Sequence, residues 1–161
     1  MEILKVQNLT LTLDGRKILD NLTMSITAGK IHAIVGPNGA GKTTLFNCIT
    51  GIYRPTSGSI KFKGYELTRL KPHQICKFGI GRTFQIVQPF LEMTALENVM
   101  VGALHGRRKS ISMREAREIS INLLDFVGLG DKKSYPAKSL NVHERKMMEI
   151  ARALATEPEI I

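Results

Sequence analysis

Gly36-Pro37-Asn38-Gly39-Ala40-Gly41-Lys42-Thr43-Thr44 is the stretch of this 161-residue sequence whose residue types and spacing carry chemistry. Glycines at 36, 39 and 41 permit backbone conformations in which successive N–H groups turn inward, and a ring of such donors suits phosphate oxygens. Lys42 adds a cation able to reach the β- and γ-phosphates of a nucleotide, and the Thr43 hydroxyl is an oxygen donor for Mg2+. A helix starting at Thr43 adds the positive end of its dipole. The ordinary alternative is a glycine-rich turn that binds nothing. Against it stands the context: an apolar run before the loop and a helix-spaced segment after it, the strand–loop–helix setting of a phosphate-binding loop. The spacing predicts nucleotide binding at these nine residues.

The elements that must hold this loop are legible as patterns. Residues 2–9 and 10–13 read as strands, with Asp14-Gly15 as a hairpin turn, and residues 22–27 read as the next strand. Residues 31–35, Ile-His-Ala-Ile-Val, are short and apolar, as a strand buried on both faces should be. After the loop, residues 45–50 have helical spacing with Gly51 as a stop, and residues 59–63 predict a strand ended by Gly64. The second half is mainly helical. Thr94-x-x-Glu97 and Ser112-x-x-Glu115 are capping-box patterns before apolar-periodic segments, the first predicted to end near Gly102. The second should bury Ile119, Leu123, Phe126 and Val127 on one stripe and stop at Gly128. Residues 105–110 are basic and polar and read as an exposed loop. A third helix is predicted from about Asn141 to Thr156, with Pro158 ending it and residues 159–161 opening a further strand.

Composition narrows the classes. With 43% hydrophobic and 23% charged residues, the chain is an ordinary globular sequence. No apolar stretch approaches the ~20 residues of a membrane span, and no signal-peptide pattern opens the chain. Cys48 and Cys76 have no metal-type spacing and read as reduced side chains. The net charge is +9, and between Arg54 and Arg82 the acidic residue Glu66 faces a basic excess suited to phosphates, anionic headgroups or nucleic acid. A solvated surface explains that excess equally well. No tryptophan and only 6% aromatics leave no stacking platform for single-stranded nucleic acid, and charge alone does not choose the partner.

Four more motifs follow the loop in order: Gly51-Ile-Tyr-Arg-Pro-Thr-Ser-Gly58-Ser-Ile, Ile80-Gly-Arg-Thr-Phe-Gln85, Met93-Thr-Ala-Leu-Glu-Asn98-Val and Glu149-Ile-Ala-Arg-Ala-Leu154-Ala-Thr-Glu-Pro158. With them the sequence resembles the ATP-binding subunits of ABC transporters over essentially its whole length. The run from Pro89 to Gly102 is similar to the import ATPases of branched-chain amino acid systems, a style shared by amide and urea importers. The resemblance implies an α/β P-loop fold of ABC type, with an antiparallel β region, a nucleotide core, a helical subdomain and an incomplete sheet. Residues 1–85 would hold the β region and core, 86–157 the helical subdomain, and 158–161 the start of another strand.

The same resemblance implies ATP and Mg2+, with Thr43 and Gln85 at the metal and Lys42 and Gln85 in catalysis. A neutral amide such as Gln85 can accept from a metal-bound water and donate to the γ-phosphate. Hydrolysis would then be an in-line attack of water, with Lys42 stabilising the transferring group. Residues 86–101 would dock on transmembrane permease subunits, although Leu96, Val99 and Met100 fit helix packing better than direct contact. A second ATP-binding subunit, identical or different, would complete the assembly on the cytoplasmic face of the inner membrane. A soluble ABC ATPase acting on nucleic acid is the weaker rival, since tandem domains and long insertions are missing. A non-catalytic nucleotide-binding or regulatory stub is the other.

Three departures from the family pattern bear on chemistry. Where L-S-G-G-Q is usual, this chain has Leu140-Asn141-Val142-His143-Glu144. Asn141 remains a good N-cap, but His143 replaces a glycine that would let the backbone approach a phosphate, so a weakened or asymmetric composite site is expected, a plain helix cap being the alternative. Leu13 stands where an aromatic residue usually stacks on adenine; it could cover the base by dispersion or be a strand core residue. The apolar strand ending in Asp-Glu is expected after Pro158. The sequence is accordingly read as an N-terminal portion of such a subunit, able at best to bind nucleotide weakly and not to turn it over. Glu144, Glu149 and Glu157 are read as capping or solvent-facing rather than as substitutes for that pair.

Overall fold

A two-residue turn starts the fold. Asp14 and Gly15 both have positive φ, 49° and 75°, which matches the right-handed twist of the strands they join, β1 (Glu2–Leu13) and β2 (Arg16–Thr27). The structure is a computed structural model describing Met1–Ile161, and it divides into two compact units, Met1–Ile75 and Cys76–Ile161.

In the first unit four strands form an antiparallel sheet in the order β2-β1-β3-β4, with β3 at Ser57–Phe62 and β4 at Tyr65–Glu66. β1 is one strand of twelve residues rather than two. Its buried positions are Ile3, Leu4 and Val6, then Leu9 and Leu11, and the step from Val6 to Leu9 is a change of phase that a strict period of two forbids. The register shift between Val6 and Leu9, with Asn8 at φ 49°, inserts the residue that restores the inward face. Ile60 and Phe62 of β3 meet Val6 and Leu4 across the ladder and are fully buried with them. Helix α1 (Lys42–Ile49) contributes Leu45, Cys48 and Ile49 to the buried set. A short helix α2 (Pro72–Lys77), which the sequence did not signal, follows.

Residues 31–37 carry no strand pairing. The expected buried strand at 31–35 is therefore not formed; Ile31 and Val35 are almost fully exposed. The reason is physical: a strand needs neighbours for its N–H and C=O groups, and no other strand of the first unit lies beside this one. At the other end, residues 159–161 likewise form no strand. Ile160 makes an isolated parallel bridge to Ile80, and Gly81 donates to the Ile160 carbonyl.

The second unit is built from α3 (Ala95–His105), α4 (Met113–Phe126) and α5 (Val142–Ala155). Its core is rich in alanine, Ala95, Ala103, Ala116, Ala151 and Ala155 among them, around Val99, Leu124, Leu140 and Met148. Small side chains let the helices approach closely. Gly102 shows how closely: a Cβ added there would fall inside contact distance of the Arg152 carbonyl oxygen. Leu96 and Met100 lean on this core, so with Val99 they serve packing.

α4 buries Ala116, Ser120 and Leu124, while Ile119, Leu123 and Val127 are half-buried and Phe126 is 78% exposed. Phe126 thus leaves the expected stripe, because the inward line of α4 runs through i, i+4, i+8 from Ala116. The basic run after α3 is not a free loop. Arg107 donates to the Ala155 carbonyl and pairs with Glu157, and Arg108 donates to the carbonyls of Lys77 and Phe78. No helix is long and apolar enough to cross a membrane.

Candidate functional site

α1 differs from the other long helices at its start. Thr94, Ser112 and Asn141 cap α3, α4 and α5 with their side chains, whereas Gly41 caps α1 with none. The first-turn amides of α1 have no intrahelical carbonyl and no side-chain acceptor, which leaves them, with the helix dipole, to an anion. Gly39 and Gly41 both have φ 82°, a region where a Cβ is strained. At Gly41 space is also short: a Cβ would sit 2.9 Å from the Ile18 carbonyl oxygen and 3.0 Å from Leu19 Cδ2. β2 therefore presses directly against the base of the loop.

Lys42 Nζ donates to the carbonyl oxygens of Gly36 at 2.6 Å and Pro37 at 2.7 Å, arching over the loop rather than away from it. Ala40 N–H donates back to Pro37 O. The ammonium is thus held above the same turn whose amides surround α1's start. Gly36, Pro37, Asn38, Gly39 and Ala40 are exposed, and Thr43 is exposed beside the half-buried Lys42 and Thr44. Behind them Cys48 is buried, and burial pushes its thiol up to about 11. The structure gathers Gly36 to Thr44 around the start of α1. The residues fit a nucleotide phosphate, and the Thr43 hydroxyl is the kind of hard oxygen that Mg2+ accepts. Leu13 is half-buried at the turn end of β1, opposite Arg16.

Gln85 lies in the second unit, exposed on the non-helical stretch 81–90. Its flanks are anchored to α5. Phe84 N–H donates to Glu149 Oε1 at 2.9 Å, and Lys146 Nζ donates both to Phe84 O at 2.7 Å and to Glu149 Oε2 at 2.8 Å. Arg152 Nη2 donates to Gln88 O, and its guanidinium lies 5.6 Å from the centre of the Phe90 ring. Burial pulls that guanidinium below the ordinary arginine range. Asn98 of α3, fully buried, accepts from Phe90 N–H and donates to the carbonyls of Phe90, Met93 and Thr94.

Glu149 is therefore not solvent-facing as the sequence suggested. Its side chain is 2% exposed and held by Lys146 and the Phe84 amide, which is how a buried carboxylate escapes the cost of desolvation. Sequence reasoning missed it because its partner is 65 residues away. The available signal was that Lys146, Glu149 and Arg152 recur at i, i+3, i+6 on one helix.

The segment 140–144 is a helix cap in full. Leu140 is core, Asn141 Oδ1 accepts from Glu144 N–H, and the Glu144 carboxylate accepts from Asn141 N–H and pairs with Lys132. Lys132, ahead of the Asn141 main chain, holds the Glu144 carboxyl below the usual range. Val142 and His143 are exposed on the first turn of α5. Glu157 is exposed and pairs with Arg107.

Comparison with known proteins agrees with this geometry. A family model described as ABC transporter matches residues 19–161. The chain is 36% identical over 170 residues to the probable branched-chain amino acid transport ATP-binding protein LivG of Archaeoglobus fulgidus, covering 100% of this chain and 66% of that protein. It is 37% identical over 171 residues to the high-affinity branched-chain amino acid transport ATP-binding protein BraF of Pseudomonas aeruginosa, covering 99% and 67%. The chain thus spans about two thirds of the length of the curated relatives it matches. Among solved structures, an ATP-binding cassette of an ABC transporter superposes with a TM-score of 0.86 at 35% identity, covering 98% of this chain and 66% of that one. A dimeric ATP-binding cassette bound to ADP and Pi superposes with a TM-score of 0.85 at 27% identity, covering 97% and 71%. The chain belongs to the ABC transporter family, and its fold is that of the family's ATP-binding cassettes.

Proposed function

We propose that this chain acts in the ATP-binding subunit of an ABC importer, powering uptake of branched-chain amino acids or related amides. The observation that carries nucleotide binding is the start of α1: uncapped by any side chain, entered through Gly41 in a conformation strained for other residues, and roofed by the Lys42 ammonium. The transport role rests on family membership, and the substrate class on the printed functions of relatives such as BraF.

Gly36 to Thr44 bind the triphosphate, the main chain supplying donors and Lys42 the charge that strengthens in the transition state. Mg2+, held through oxygen donors such as those of Thr43 and Gln85, would supply positive charge against the phosphates. Leu13 covers the adenine. Hydrolysis also needs a carboxylate to polarise water, and Glu144, Glu149 and Glu157 are committed to a cap, a clamp and an ion pair. None of these three is placed to be that base.

Ile86, Phe90, Leu91 and Met93 are exposed apolar side chains beside Gln85, and they support docking of permease subunits there. The subunit then sits on the cytoplasmic face of the inner membrane, working with a second ATP-binding subunit. The closed cap at Asn141 and Glu144, with His143 in place of glycine, supports a weakened contribution to a partner's nucleotide.

Genetics tests the reading. Deleting the gene should abolish high-affinity uptake of leucine, isoleucine and valine, and the Lys42→Ala form should fail to restore it. Unchanged uptake after deletion contradicts the substrate assignment; full restoration by Lys42→Ala contradicts the role of the loop.

A further inference from the structure

The contacts between α5 and the stretch around Gln85 reach both polar groups of one residue. Phe84 N–H points into the Glu149 carboxylate, and Phe84 C=O, half of the peptide joining Phe84 to Gln85, accepts from Lys146. Lys146 and Glu149 close the circuit between themselves at 2.8 Å. Phe84 N–H and C=O belong to the two peptide planes on either side of its Cα, so neither plane can rotate without breaking a hydrogen bond to a charged group. Three residues later Gln88 O is held by Arg152, so the exposed pair Gln85 and Ile86 is a short span pinned at each side to a single helix. The guanidinium of Arg82 lies 4.8 Å from the centre of the Phe84 ring and restrains the side chain as well.

We infer that the Lys146–Glu149 pair is a positioning device for Gln85, setting that residue's main chain from α5. This rests on the reading of Gln85 as a ligand near the nucleotide's metal. Neither residue touches nucleotide in this account; both act through the Phe84–Gln85 peptide. The pair is more than helix decoration, because an i,i+3 pair on a solvated face needs neither a 2% exposed carboxylate nor a main-chain donor 65 residues away. Any displacement of α5 is carried to the main chain around Gln85 by the hydrogen bonds of Lys146, Glu149 and Arg152 to Phe84 and Gln88.

The test uses the complete polypeptide assembled with its partner subunits. In Glu149→Ala, hydrogen exchange at the Phe84 amide should accelerate about tenfold or more while α5 amides are unchanged, the effect of losing one hydrogen bond to a charged acceptor. The Mg2+ concentration for half-maximal ATPase activity should rise about tenfold, with metal-free nucleotide affinity unaltered. Gln85→Ala should give the same Mg2+ shift, and Glu149→Ala in the Gln85→Ala background should add nothing, since residues acting through one another are not additive.

Lys146→Met, which leaves the Phe84 N–H bond in place, should give the same shift with the same dependence on Gln85, and it decides the matter should Glu149→Ala fail to fold. A Mg2+ requirement unmoved by Lys146→Met or Glu149→Ala, where Gln85→Ala moves it, overturns the inference. Additive shifts in the double variant overturn it too. No shift in Gln85→Ala overturns the underlying reading of Gln85.

Discussion

Lys42 holds two carbonyl oxygens of its own loop, so phosphate binding exchanges neutral acceptors for charged ones, and that exchange favours the ligand. Gly41 sets the stage for it, since any side chain there meets Ile18 and Leu19 of β2 while adopting a φ of 82°. Gly41→Ala should therefore destabilise the first unit by about 1–3 kcal/mol through backbone strain and should weaken ATP binding. Urea denaturation measures the first effect; a variant as stable as the parent contradicts it. The loop was readable from its residues because what marks it is local: nine consecutive positions, three of them glycine, leading into α1. Glu149 was missed for the opposite reason. Its burial depends on a main-chain group that only the fold brings to it, and a glutamate in mid-helix looks the same on paper whether it faces water or Phe84.

At the scale of elements, the second unit is organised by three capping boxes, at Thr94–Glu97, Ser112–Glu115 and Asn141–Glu144. The first two were plain in the sequence, because S/T-x-x-E is a four-residue signal with its own mechanism. The expected strand at 31–35 shows the limit of such signals: hydrophobic pattern marks a strand's composition, but a ladder also needs a neighbour. Asn8 shows another limit, since the residue that rephases β1 is one position in an otherwise continuous strand.

The boxes predict an acid response with a definite sign. Thr94 donors hold Glu97 below the usual 4.5, Ser112 donors hold Glu115 there, and Lys132 holds Glu144. A carboxyl whose native pKa is depressed binds its proton less well folded than unfolded. Its stabilisation is present above about pH 4.5 and is lost as pH falls through the native value. The urea midpoint of the helical signal should fall between pH 6 and pH 3, and less so in a Glu97→Gln, Glu115→Gln, Glu144→Gln triple variant, where glutamine keeps an acceptor but does not titrate. An equal fall in both proteins contradicts this account.

The molecule as a whole divides into two compact units. Met1–Ile75 holds the glycine-rich loop 36–44 and a four-stranded antiparallel sheet; Cys76–Ile161 holds three helices, Gln85 on a non-helical stretch and the capped segment at 140–144. The order of motifs made the family visible, while the division of residues between the units depends on packing that no motif encodes. Ile31 at 101% and Val35 at 90% exposure leave an apolar surface beside the loop. The 161-residue chain should accordingly bind an apolar fluorescent dye, and Ile31→Thr with Val35→Thr should reduce the signal; an unchanged signal places the dye elsewhere. The central claim is nucleotide binding, and its most direct test is an equilibrium titration of this chain with ATP and Mg2+. The account predicts saturable binding that Lys42→Ala weakens by about tenfold or more, the loss of a charge-assisted contact. Equal affinity in the two proteins, or no binding by the unaltered chain, would contradict it.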